Sequence, residues 1–598
     1  MRRPAPLLLG AVLVAVLVAL AVPASAIDDG DTRVSIGSPP SPFAQNKQNE
    51  PAIAVDQAHP NVLAAGANEE IDIEACNAGD DRTCPFTPGV GTSGIYFSFD
   101  SGDTWIQPTY TGWSARGCTG IVGNTDPACS PAVGPIGTIP WYYENGLVSD
   151  GDPAVAFGPV AGAGGAFSWA NGSRLYYANL TANFSARHQE AGFKGVEGIG
   201  VSRTDDAQAA ATDDKSAWKA PVVVTPSMSG AAFADKEQIW ADDAESSPHF
   251  GNVYLCFANY KGGPSAGSNT HTLVVARSTD GGDTWTKKIL VKNTSSSSGL
   301  PFYLISGPSG CTIRTASDGT VYVFWAGFNQ KTQTEGIYMS KSSDGGVTFT
   351  PQRRLFVTKH TGVFDPALGR VTMDGIAGAR SDLSNAPSVD IANGAPSGAD
   401  ATDQIVLAWV DGTPGLNHEP VLFSTSTDGG AHWTDPVNVD GTGIPHHRGY
   451  YAAPAISPNG TDVYVVYNEW LDPYKSSPVG EDNDHPLRGV VTHADVTGGV
   501  VGAFGQQHTG TVGDARGSSQ NDLTAEFLGD YVYAVATRDY GAGVWNDVRF
   551  ADDCPAIDAW RESLRTGASV PRPAPEQDCP GAFGNSDIFG GSYADPSP

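Results

Sequence analysis

Hydrophobic and polar residues alternate in short runs along most of this chain, and turns rich in Gly, Pro, Asn and Asp separate the runs. Alternation with a period of two places successive side chains on opposite faces of a β-strand. Such runs stand at residues 94–97, 252–257, 320–325 and 462–467, and Val, Tyr, Phe and Trp are common in them. The pattern therefore predicts an all-β fold built from many short strands.

One octapeptide recurs four times, at residues 98–105, 278–285, 342–349 and 426–433. Each copy has Ser first, Asp third, Gly fifth and an aromatic residue last. Asp accepts hydrogen bonds from nearby backbone N–H groups and Gly tolerates positive φ, so the centre is predicted to be a hairpin turn. We interpret the octapeptide as a structural device, with these residues at its turns: Asp100, Asp280, Asp344 and Asp428.

A second pattern, in which polar residues and often Pro precede an alternating strand, marks the openings of larger repeats. The openings lie near residues 50, 152, 236, 311, 386, 453 and 523. Units of about four strands that recur roughly every 80 residues are typical of β-propeller blades. Because the last two openings could share one blade, the sequence predicts a six- or seven-bladed β-propeller. Residues 32–36 form a further strand that we expect to pair with the last blade and close the ring.

The two ends of the chain differ from the repeats. Residues 1–26 have a basic start, an apolar run and a small-residue cleavage site, as in a secretory signal peptide. No later segment approaches the ~18 apolar residues needed to span a membrane, so we expect a secreted chain without a membrane span after signal cleavage. An uncleaved N-terminal anchor is the alternative. We expect the propeller over residues 27–550 and a disulfide-tied extension over residues 551–598.

The composition restricts the partners and the compartment. The chain has a formal net charge of -30, which disfavours nucleic acid and anionic membranes as partners. We expect a monomer that meets an extracellular glycan or glycoprotein. Eight cysteines, an even number, indicate disulfides in an exported chain. Proximity suggests the following pairs among many alternatives: Cys76–Cys84, Cys118–Cys129, Cys256–Cys311 and Cys554–Cys579.

The octapeptides resemble the Asp-box, or BNR, repeats of the sialidase superfamily, and the resemblance covers roughly residues 45–550. It implies a propeller with Asp-box hairpins. It also implies, as the leading function, a secreted glycoside hydrolase resembling exo-α-sialidases that acts on extracellular glycans. Asp boxes also occur in receptors and in propellers without catalysis, so the fold alone does not determine the activity.

The resemblance further implies a set of roles. A typical exo-sialidase holds the substrate carboxylate with three arginines, uses a Tyr nucleophile primed by a Glu, and uses an Asp as acid/base. By resemblance and position these roles fall on Arg314, Arg448 and Arg538 for substrate binding, on Tyr531 with Glu469 as nucleophile pair, and on Asp72 as acid/base. Arg380, in a Gly/Ala-rich loop, is a further arginine near the repeats.

The first blade departs from the family pattern. The family's Arg-Ile-Pro opening is replaced by residues 49–51, Asn-Glu-Pro, and the carboxylate of Glu50 would repel an anionic substrate. Two alternatives therefore stay open. One is a non-catalytic propeller that binds a glycan or a protein, with or without calcium. The other is a hydrolase that uses two carboxylates on a neutral polysaccharide.

Acidic residues at the blade openings suggest a cation site. If they face the central channel, they would form a carboxylate ring, and calcium is the cation that hard oxygen ligands favour. A second acidic loop spans residues 481–485. The sequence requires no cofactor, and calcium is the candidate, with these ligands: Glu50, Asp152, Glu237, Asp482 and Asp484.

Overall fold

The structure, a computed structural model, describes most of the chain. The described residues are 30–76, 87–118, 129–184, 197–225, 232–261, 268–296, 308–329, 332, 334–375, 377–440, 447–477, 479 and 483–596. Three predictions lie outside these residues: the signal peptide, the disulfide partner Cys84 and the candidate ligand Asp482.

Antiparallel sheets make up nearly all of the described chain, and they form seven blades. The strands up to the end of the second blade are β1 (Thr32–Arg33), β2 (Gln48–Val55), β3 (Leu63–Glu69), β4 (Ser93–Ser98), β5 (Tyr110–Ser114), β6 (Ala132–Ile136), β7 (Leu147–Ser149), β8 (Ala154–Ala161), β9 (Phe167–Asn183), β10 (Gly198–Thr204) and β11 (Trp218–Val223). Strands β2–β4 form blade one, β7–β11 form blade two, and β5 with β6 forms a separate hairpin between them.

Blades three to five follow with four strands each, and a small hairpin precedes blade five. Their strands are β12 (Ala232–Ala241), β13 (Val253–Lys261), β14 (Ser268–Ser278), β15 (Thr286–Ser296), β16 (Ser309–Thr315), β17 (Val321–Asn329), β18 (Thr334–Ser342), β19 (Arg353–Thr358), β20 (Val363–Asp365), β21 (Arg370–Thr372), β22 (Ser388–Ile391), β23 (Ile405–Val410), β24 (Val421–Ser426) and β25 (Val437–Asn438). The small hairpin is β20–β21.

Blade six is β26–β28 with three short strands that pair with β28, and blade seven is β32–β34 with β1. The strands are β26 (Arg448–Ile456), β27 (Asp462–Trp470), β28 (Pro486–Thr497), β29 (Val500–Val501), β30 (Gly505–Thr509), β31 (Gly513–Asp514), β32 (Tyr533–Ala536), β33 (Tyr540–Asp547) and β34 (Asp587–Ala594). The helices are α1 (Ala207–Ala211), α2 (Pro555–Thr566), α3 (Pro575–Asp578) and the 3-10 turns Tyr143–Asn145, Lys215–Ala217 and Ala515–Gly517. No helix in the described part of the chain has both the length and the apolar composition of a membrane span.

The innermost strands close a ring. In chain order β2, β8, β12, β16, β22, β26 and β32 each pack against the next, and β32 packs against β2. The all-β propeller prediction is therefore confirmed, and the blade number is seven. Trp325, Trp409 and Trp545 are fully buried between adjacent blades, so the core lies between the sheets rather than on the axis.

The first and last strands of the chain seal the ring. In β1, Thr32 pairs with Gly590 and Arg33 with Phe589 of β34. The predicted closing role of residues 32–36 is thus confirmed. Because β34 lies within residues 551–598, that segment contributes a blade strand, and the propeller continues beyond the predicted boundary at residue 550. The preceding Cys- and Pro-rich stretch concealed this strand in the sequence.

The octapeptides form hydrogen-bonded turns that follow the third strand of each of their blades. In the second copy, the Asp280 carboxylate accepts hydrogen bonds from Ser278 Oγ at 2.7 Å and from the Thr284 N–H at 2.9 Å. Ser278 Oγ in turn accepts from the N–H of Gly282, whose φ is 86°. The other three copies repeat the pattern of carboxylate bonds. The octapeptide therefore has the turn geometry that its Asp and Gly residues predict.

Three predicted disulfides are present: Cys118–Cys129, Cys256–Cys311 and Cys554–Cys579. The second joins β13 of blade three to β16 of blade four, so it links adjacent blades covalently. Cys76 is also disulfide-bonded, while its predicted partner is outside the described residues.

Candidate functional site

The openings of five innermost strands share an uncommon backbone conformation. Glu50, Asp152, Lys236, Gly310 and Tyr451 have φ between 50° and 56°, the left-handed region that favours glycine. Four of these residues lie where the pairing with the second strand slips register. A non-glycine residue held there costs of order 1–3 kcal/mol and persists only when its surroundings fix it. The bulge therefore recurs where the innermost strands begin, and it makes that end of the central channel the candidate for a functional site.

Three of these side chains meet two charged side chains from other segments. We call the resulting group of five residues the axial cluster: Glu50, Asp152, Lys236, Arg380 and Asp530. Lys236 Nζ lies 2.7 Å from Asp152 Oδ2 and 2.7 Å from Asp530 Oδ2. It lies 3.7 Å from Glu50 Oε1. The ammonium from blade three thus joins carboxyl groups from blades one and two and from the segment that leads into blade seven.

Arg380 completes the axial cluster from a loop. Its Nε donates to Asp530 Oδ1 at 2.8 Å and its Nη2 to Asp530 Oδ2 at 2.5 Å, a bidentate pair. The same Nη2 donates to Glu50 Oε1 at 3.1 Å. The guanidinium also lies over the ring of Phe527, 4.4 Å from its centroid. Two cations are therefore shared among buried carboxyl groups in a fixed geometry.

Burial and neighbouring charges shift the pKa values of the carboxyl groups in the axial cluster in opposite directions. Burial, and next the charge of Asp152, raises the pKa of Glu50 well above its ordinary value. Burial opposes ionisation of Asp152 as well, but the Lys236 ammonium and a hydrogen bond from Glu50 hold the pKa of Asp152 below its ordinary value. Against the same burial, Arg380 and Lys236 lower the pKa of Asp530. Of the two carboxyl groups, Glu50 is therefore the one that retains a proton more readily and Asp152 the one that ionises more readily.

A cavity of about 1100 Å³ opens over the axial cluster. Glu50, Asp152 and Arg380 form part of its lining, and Asp365 and Arg370 of the β20–β21 hairpin form another part. Its volume lies just above the range of about 300–1,000 Å³ that is common for small-molecule sites. The cavity is large enough for more than one sugar ring.

Three loops contact one another at this cavity, and we call them the wall loops. They are residues 359–387 between β19 and β22, residues 471–485 between β27 and β28, and residues 515–532 before β32. Residues of the first and third line the cavity, and the second packs against the first, where the carbonyl of Lys475 accepts from the N–H of Gly375 at 2.6 Å. The first loop supplies Arg380 and the third supplies Asp530. Asn68, from β3, positions the acids: its Nδ2 donates to Glu50 Oε2 at 2.9 Å, and its Oδ1 accepts from the N–H of Asp152 at 2.7 Å.

The three predicted substrate-binding arginines lie apart. Arg314 donates to Gln238 Oε1 at 2.5 Å and lies over Trp240, beside a small separate cavity of about 50 Å³. Arg448, the first residue of β26 in blade six, is fully buried and pairs with Asp374 and Glu419. Arg538 pairs at the surface with Asp400 at 2.7 Å. The structure does not bring these arginines into one cavity, because each has its own buried or surface partners.

The predicted acid/base, Asp72, is enclosed by its own donors. Its carboxylate accepts from Arg116 Nε at 2.6 Å, from Thr138 Oγ1 at 2.7 Å and from the N–H of Gly137 at 3.1 Å. Burial raises its pKa. Asp72 contacts residues that flank the β5–β6 hairpin and does not itself line the large cavity, although Glu70, two residues earlier, does. Its contacts are those of a residue that fixes a loop.

The predicted nucleophile pair is separated. Glu469 accepts from Arg488 Nη2 at 2.8 Å and lies 2.7 Å from His447 Nδ1. Tyr531 lies next to the axial cluster, with Lys236 Nζ 5.9 Å from its ring centroid. Burial, and next the charge of Asp152, raises the pKa of Tyr531 well above its ordinary value, so its hydroxyl stays protonated. Of the residues assigned by resemblance, Tyr531 is the one that the structure places beside the axial cluster.

The candidate calcium ligands also separate. Glu50 and Asp152 belong to the axial cluster, where Lys236 supplies the positive charge. Glu237 is buried, and both of its carboxyl oxygens are without a hydrogen-bond partner in the described part of the chain. Asp484 is exposed and pairs with Arg516 at 2.7 Å. The described ligands therefore do not form one ring.

Lys236 and Asp530 are the site residues that the sequence interpretation missed. Lys236 opens blade three at the position that Glu50 and Asp152 hold in their blades. Aligning the blade openings with one another was the available signal. Asp530 carries no such signal, since it precedes β32 in an irregular segment.

Comparison with known proteins yields similarity in fold. No protein-family model matches the chain, and no curated protein matches it. Among solved structures, the Hadza microbial sialidase Hz136 is 12% identical with a TM-score of 0.37, over 70% of this chain and 63% of that one. The chain thus spans less than two thirds of that sialidase.

Two further solved structures are similar at the same level. The intramolecular trans-sialidase from Ruminococcus gnavus is 11% identical, with a TM-score of 0.38, over 73% of this chain and 93% of its own. The GH93 α-L-arabinofuranosidase of Fusarium graminearum is 13% identical, with a TM-score of 0.31, over 60% of this chain and 92% of its own. Sialidases and an arabinofuranosidase are thus among the solved structures to which this chain is similar.

Proposed function

We propose that this chain is a glycoside hydrolase that binds a neutral sugar chain in the cavity over the axial cluster, with Glu50 as its acid. The observation that carries the proposal is the position of Glu50, which lines a cavity of about 1100 Å³ beside Asp152 and whose pKa burial raises well above its ordinary value. Glycoside hydrolysis requires a carboxylic acid that protonates the leaving oxygen, and burial is the usual means of keeping that acid protonated.

The second carboxylate must come from elsewhere on the cavity wall. Two catalytic carboxyl groups lie about 5–5.5 Å apart in retaining enzymes and about 6.5–9.5 Å apart in inverting ones. Glu50 and Asp152 are hydrogen-bonded and therefore closer than either spacing, so Asp152 serves to hold the Glu50 carboxyl group in place. Asp365 is the candidate for the second carboxylate, because it lines the same cavity and the N–H groups of Ala367 and Ala377 orient it.

The charge balance favours a neutral sugar. Both cations of the axial cluster, Lys236 and Arg380, already pair with carboxylates. An anionic sugar would have to compete with Asp152 and Asp530 for these cations. A neutral sugar needs hydrogen bonds only, which the polar lining of the cavity provides.

A sialidase-like activity is the second candidate, and one observation favours it. Arg370, Arg380, Arg561 and Arg572 line the same cavity, so four guanidinium groups surround the space where a carboxylate could bind. This set differs from the arginines assigned by resemblance. In either case we place the protein outside the cytosol, because its disulfides form and persist in oxidising compartments.

The test is turnover of a panel of fluorogenic glycosides by the purified, oxidised chain. The panel contains neutral pyranosides, an α-L-arabinofuranoside and an α-sialoside. We expect turnover of at least one neutral glycoside, and Glu50→Gln should lower kcat/KM by about 10²–10⁴-fold. Glu245→Gln, at an exposed glutamate, is the matched control and should leave kcat/KM unchanged. Activity should fall as the pH rises through the raised pKa of Glu50, since the acid must be protonated.

Other outcomes select another function. Turnover of the sialoside alone, with loss in Arg380→Ala, would replace the neutral-sugar proposal by the sialidase-like one. If the folded chain cleaves no glycoside in the panel, the hydrolase proposal is wrong and a propeller that only binds glycans or proteins becomes the better description.

A further inference from the structure

A second cluster of titratable side chains lies behind the cavity wall, and we call Asp374, His485 and Glu526 the loop cluster. Each residue comes from one of the three wall loops. His485 Nδ1 lies 2.8 Å from Glu526 Oε1 and 3.8 Å from Asp374 Oδ2. One ligand atom from each of the three residues lies within 4.8 Å of the other two.

The loop cluster is buried and incompletely satisfied. The three residues are 3%, 2% and 1% exposed, in the order Asp374, His485 and Glu526. Asp374 Oδ2 and Glu526 Oε2 have no hydrogen-bond partner within the described chain. A buried polar atom without a partner costs about 1–3 kcal/mol, and buried polar groups in folded proteins are almost always paired. These two oxygens are therefore free to accept a further ligand or ion, and Asp374 Oδ2 lies 3.8 Å from Nδ1 of the imidazole.

The spacing of the donor atoms suits a small divalent ion. Four ligands at about 2.0–2.2 Å around a tetrahedral ion stand roughly 3.4 Å from one another. The two measured separations in the loop cluster, 2.8 and 3.8 Å, lie on either side of that value. An imidazole together with carboxylates suits zinc and similar metals, whereas calcium prefers oxygen ligands throughout.

We propose that Asp374, His485 and Glu526 bind a divalent transition-metal ion such as Zn²⁺, which ties the three wall loops together. Neighbouring residues support the ligands as partners of metal ligands commonly do. Arg448 Nη1 lies 3.3 Å from the other oxygen of Asp374, Oδ1, and the N–H of His485 donates to Asp514 Oδ1 at 3.0 Å. These contacts orient the Asp374 carboxyl group and hold the His485 backbone before any ion binds.

The ion has a structural role in relation to the cavity. Arg380 follows Asp374 in the first wall loop, and Asp530 follows Glu526 in the third. An ion in the loop cluster would fix the bases of both loops and with them the Arg380–Asp530 pair of the axial cluster. The proposal does not depend on the reaction catalysed in the cavity, because its readout is metal binding.

The test is titration of the chelator-treated, disulfide-intact chain with ZnCl₂ by isothermal calorimetry, followed by visible absorption spectra with Co²⁺. We expect one Zn²⁺ per chain and a Co²⁺ spectrum with the intense bands of a four-coordinate site. His485→Gln should weaken Zn²⁺ binding roughly tenfold or more, because loss of a ligand costs at least as much as loss of a ligand's partner. His59→Gln is the matched control: His59 also pairs with a carboxylate, Asp56, but at the surface, and binding should not change.

Two results would overturn the proposal. One is the absence of Zn²⁺ binding by the folded wild-type chain, which needs no variant. The other is equal binding by wild type and by His485→Gln with a native circular dichroism spectrum. If His485→Gln does not fold, Asp374→Asn provides the same comparison, since it retains the shape of the side chain and removes its charge.

Discussion

Lys236 is the residue whose removal tests the electrostatics of the axial cluster most directly. In Lys236→Met the alkyl chain is largely retained and the ammonium is lost. Two contacts of 2.7 Å, to Asp152 and to Asp530, disappear with it. Arg380 does not replace the ammonium at Asp152, because its guanidinium already contacts Asp530 and Glu50. Asp152 is then left as a buried carboxylate without a cation.

The expected loss of unfolding free energy is large for one substitution. Removing one member of a buried ion pair usually costs about 3–5 kcal/mol, since the other charge stays buried. The side chain of Lys236 is 11% exposed and those of Asp152 and Asp530 are 9% and 2% exposed, so water cannot screen the remaining charges well. We therefore expect a loss in this range near neutral pH.

The loss should also depend on pH, with a definite sign. Without the ammonium, the pKa of Asp152 in the folded variant rises above its value in the unfolded chain. The folded variant then binds more protons than the unfolded variant, and its stability relative to wild type falls as the pH rises. Each proton of difference changes the free energy by about 1.4 kcal/mol per pH unit. The deficit should thus be larger at about pH 8 than at about pH 5.

The assay is guanidinium denaturation of the oxidised proteins at both pH values, followed by tryptophan fluorescence. Lys292→Met, at an exposed lysine of blade three, is the control and should change the unfolding free energy by less than about 0.5 kcal/mol. A deficit below about 1 kcal/mol for Lys236→Met would refute the reasoning from buried ion pairs. A deficit that does not grow with pH would refute the assignment of an ionised, ammonium-paired Asp152.

Two further changes test the structural devices of the propeller. Asp280→Ala removes the acceptor of the second octapeptide turn and should lower the unfolding free energy by about 1–3 kcal/mol, measured as a shift of the denaturation midpoint. Replacing Cys256 and Cys311 together with Ser opens a 55-residue loop and should cost about 4 kcal/mol, against about 3 kcal/mol for the 11-residue loop closed by Cys118 and Cys129.

Each of these changes has its own comparison. Asp435→Ala, at an exposed aspartate outside the octapeptides, should shift the midpoint little, and an equal shift in Asp280→Ala would mean that the turn bonds contribute nothing. For the disulfides, the order of the two losses is the decisive quantity. A larger loss from the short loop than from the long one would contradict the chain-entropy argument.

The fold was predictable because its signals are local. The octapeptide predicts a turn by itself, because the Asp carboxylate and the positive φ of Gly both act within eight residues. The alternating runs on either side indicate strands. Seven openings in the sequence correspond to seven blades. The last opening, near residue 523, precedes β32 by an irregular stretch, which is why six or seven blades could not be distinguished from the sequence.

The candidate site was predictable only in part, because its contacts join distant segments. Glu50 and Asp152 could be found as acids at blade openings, yet their charge partner is Lys236 and their neighbour Asp530 comes from the other end of the chain. Such pairings follow from ring closure, which no local pattern encodes.

The arginine assigned by resemblance in blade six shows the same limit. Arg448 opens an innermost strand, but a loop inserted before blade five delivers Asp374 to it, and Glu419 takes the other side of the guanidinium. The position on the strand was a sound guide to burial and no guide to the partner. Position within a repeat therefore predicts the place of a residue in the blade and its burial, but not the residues that its side chain contacts.

The pairing of β1 with β34 has a consequence for how the molecule comes to exist. Thr32 and Gly590 are strand neighbours although nearly the whole chain separates them. Contacts of such sequence separation form slowly, since the intervening chain must be ordered before they can be made. A chain still attached to the ribosome can assemble blades one to six in succession. It cannot close the ring, because strand β34 has not yet been released to pair with β1. A nonsense codon immediately before residue 587 would therefore delete strand β34. The blades would then form an open arc in place of a ring, and strand β1 would lack its partner.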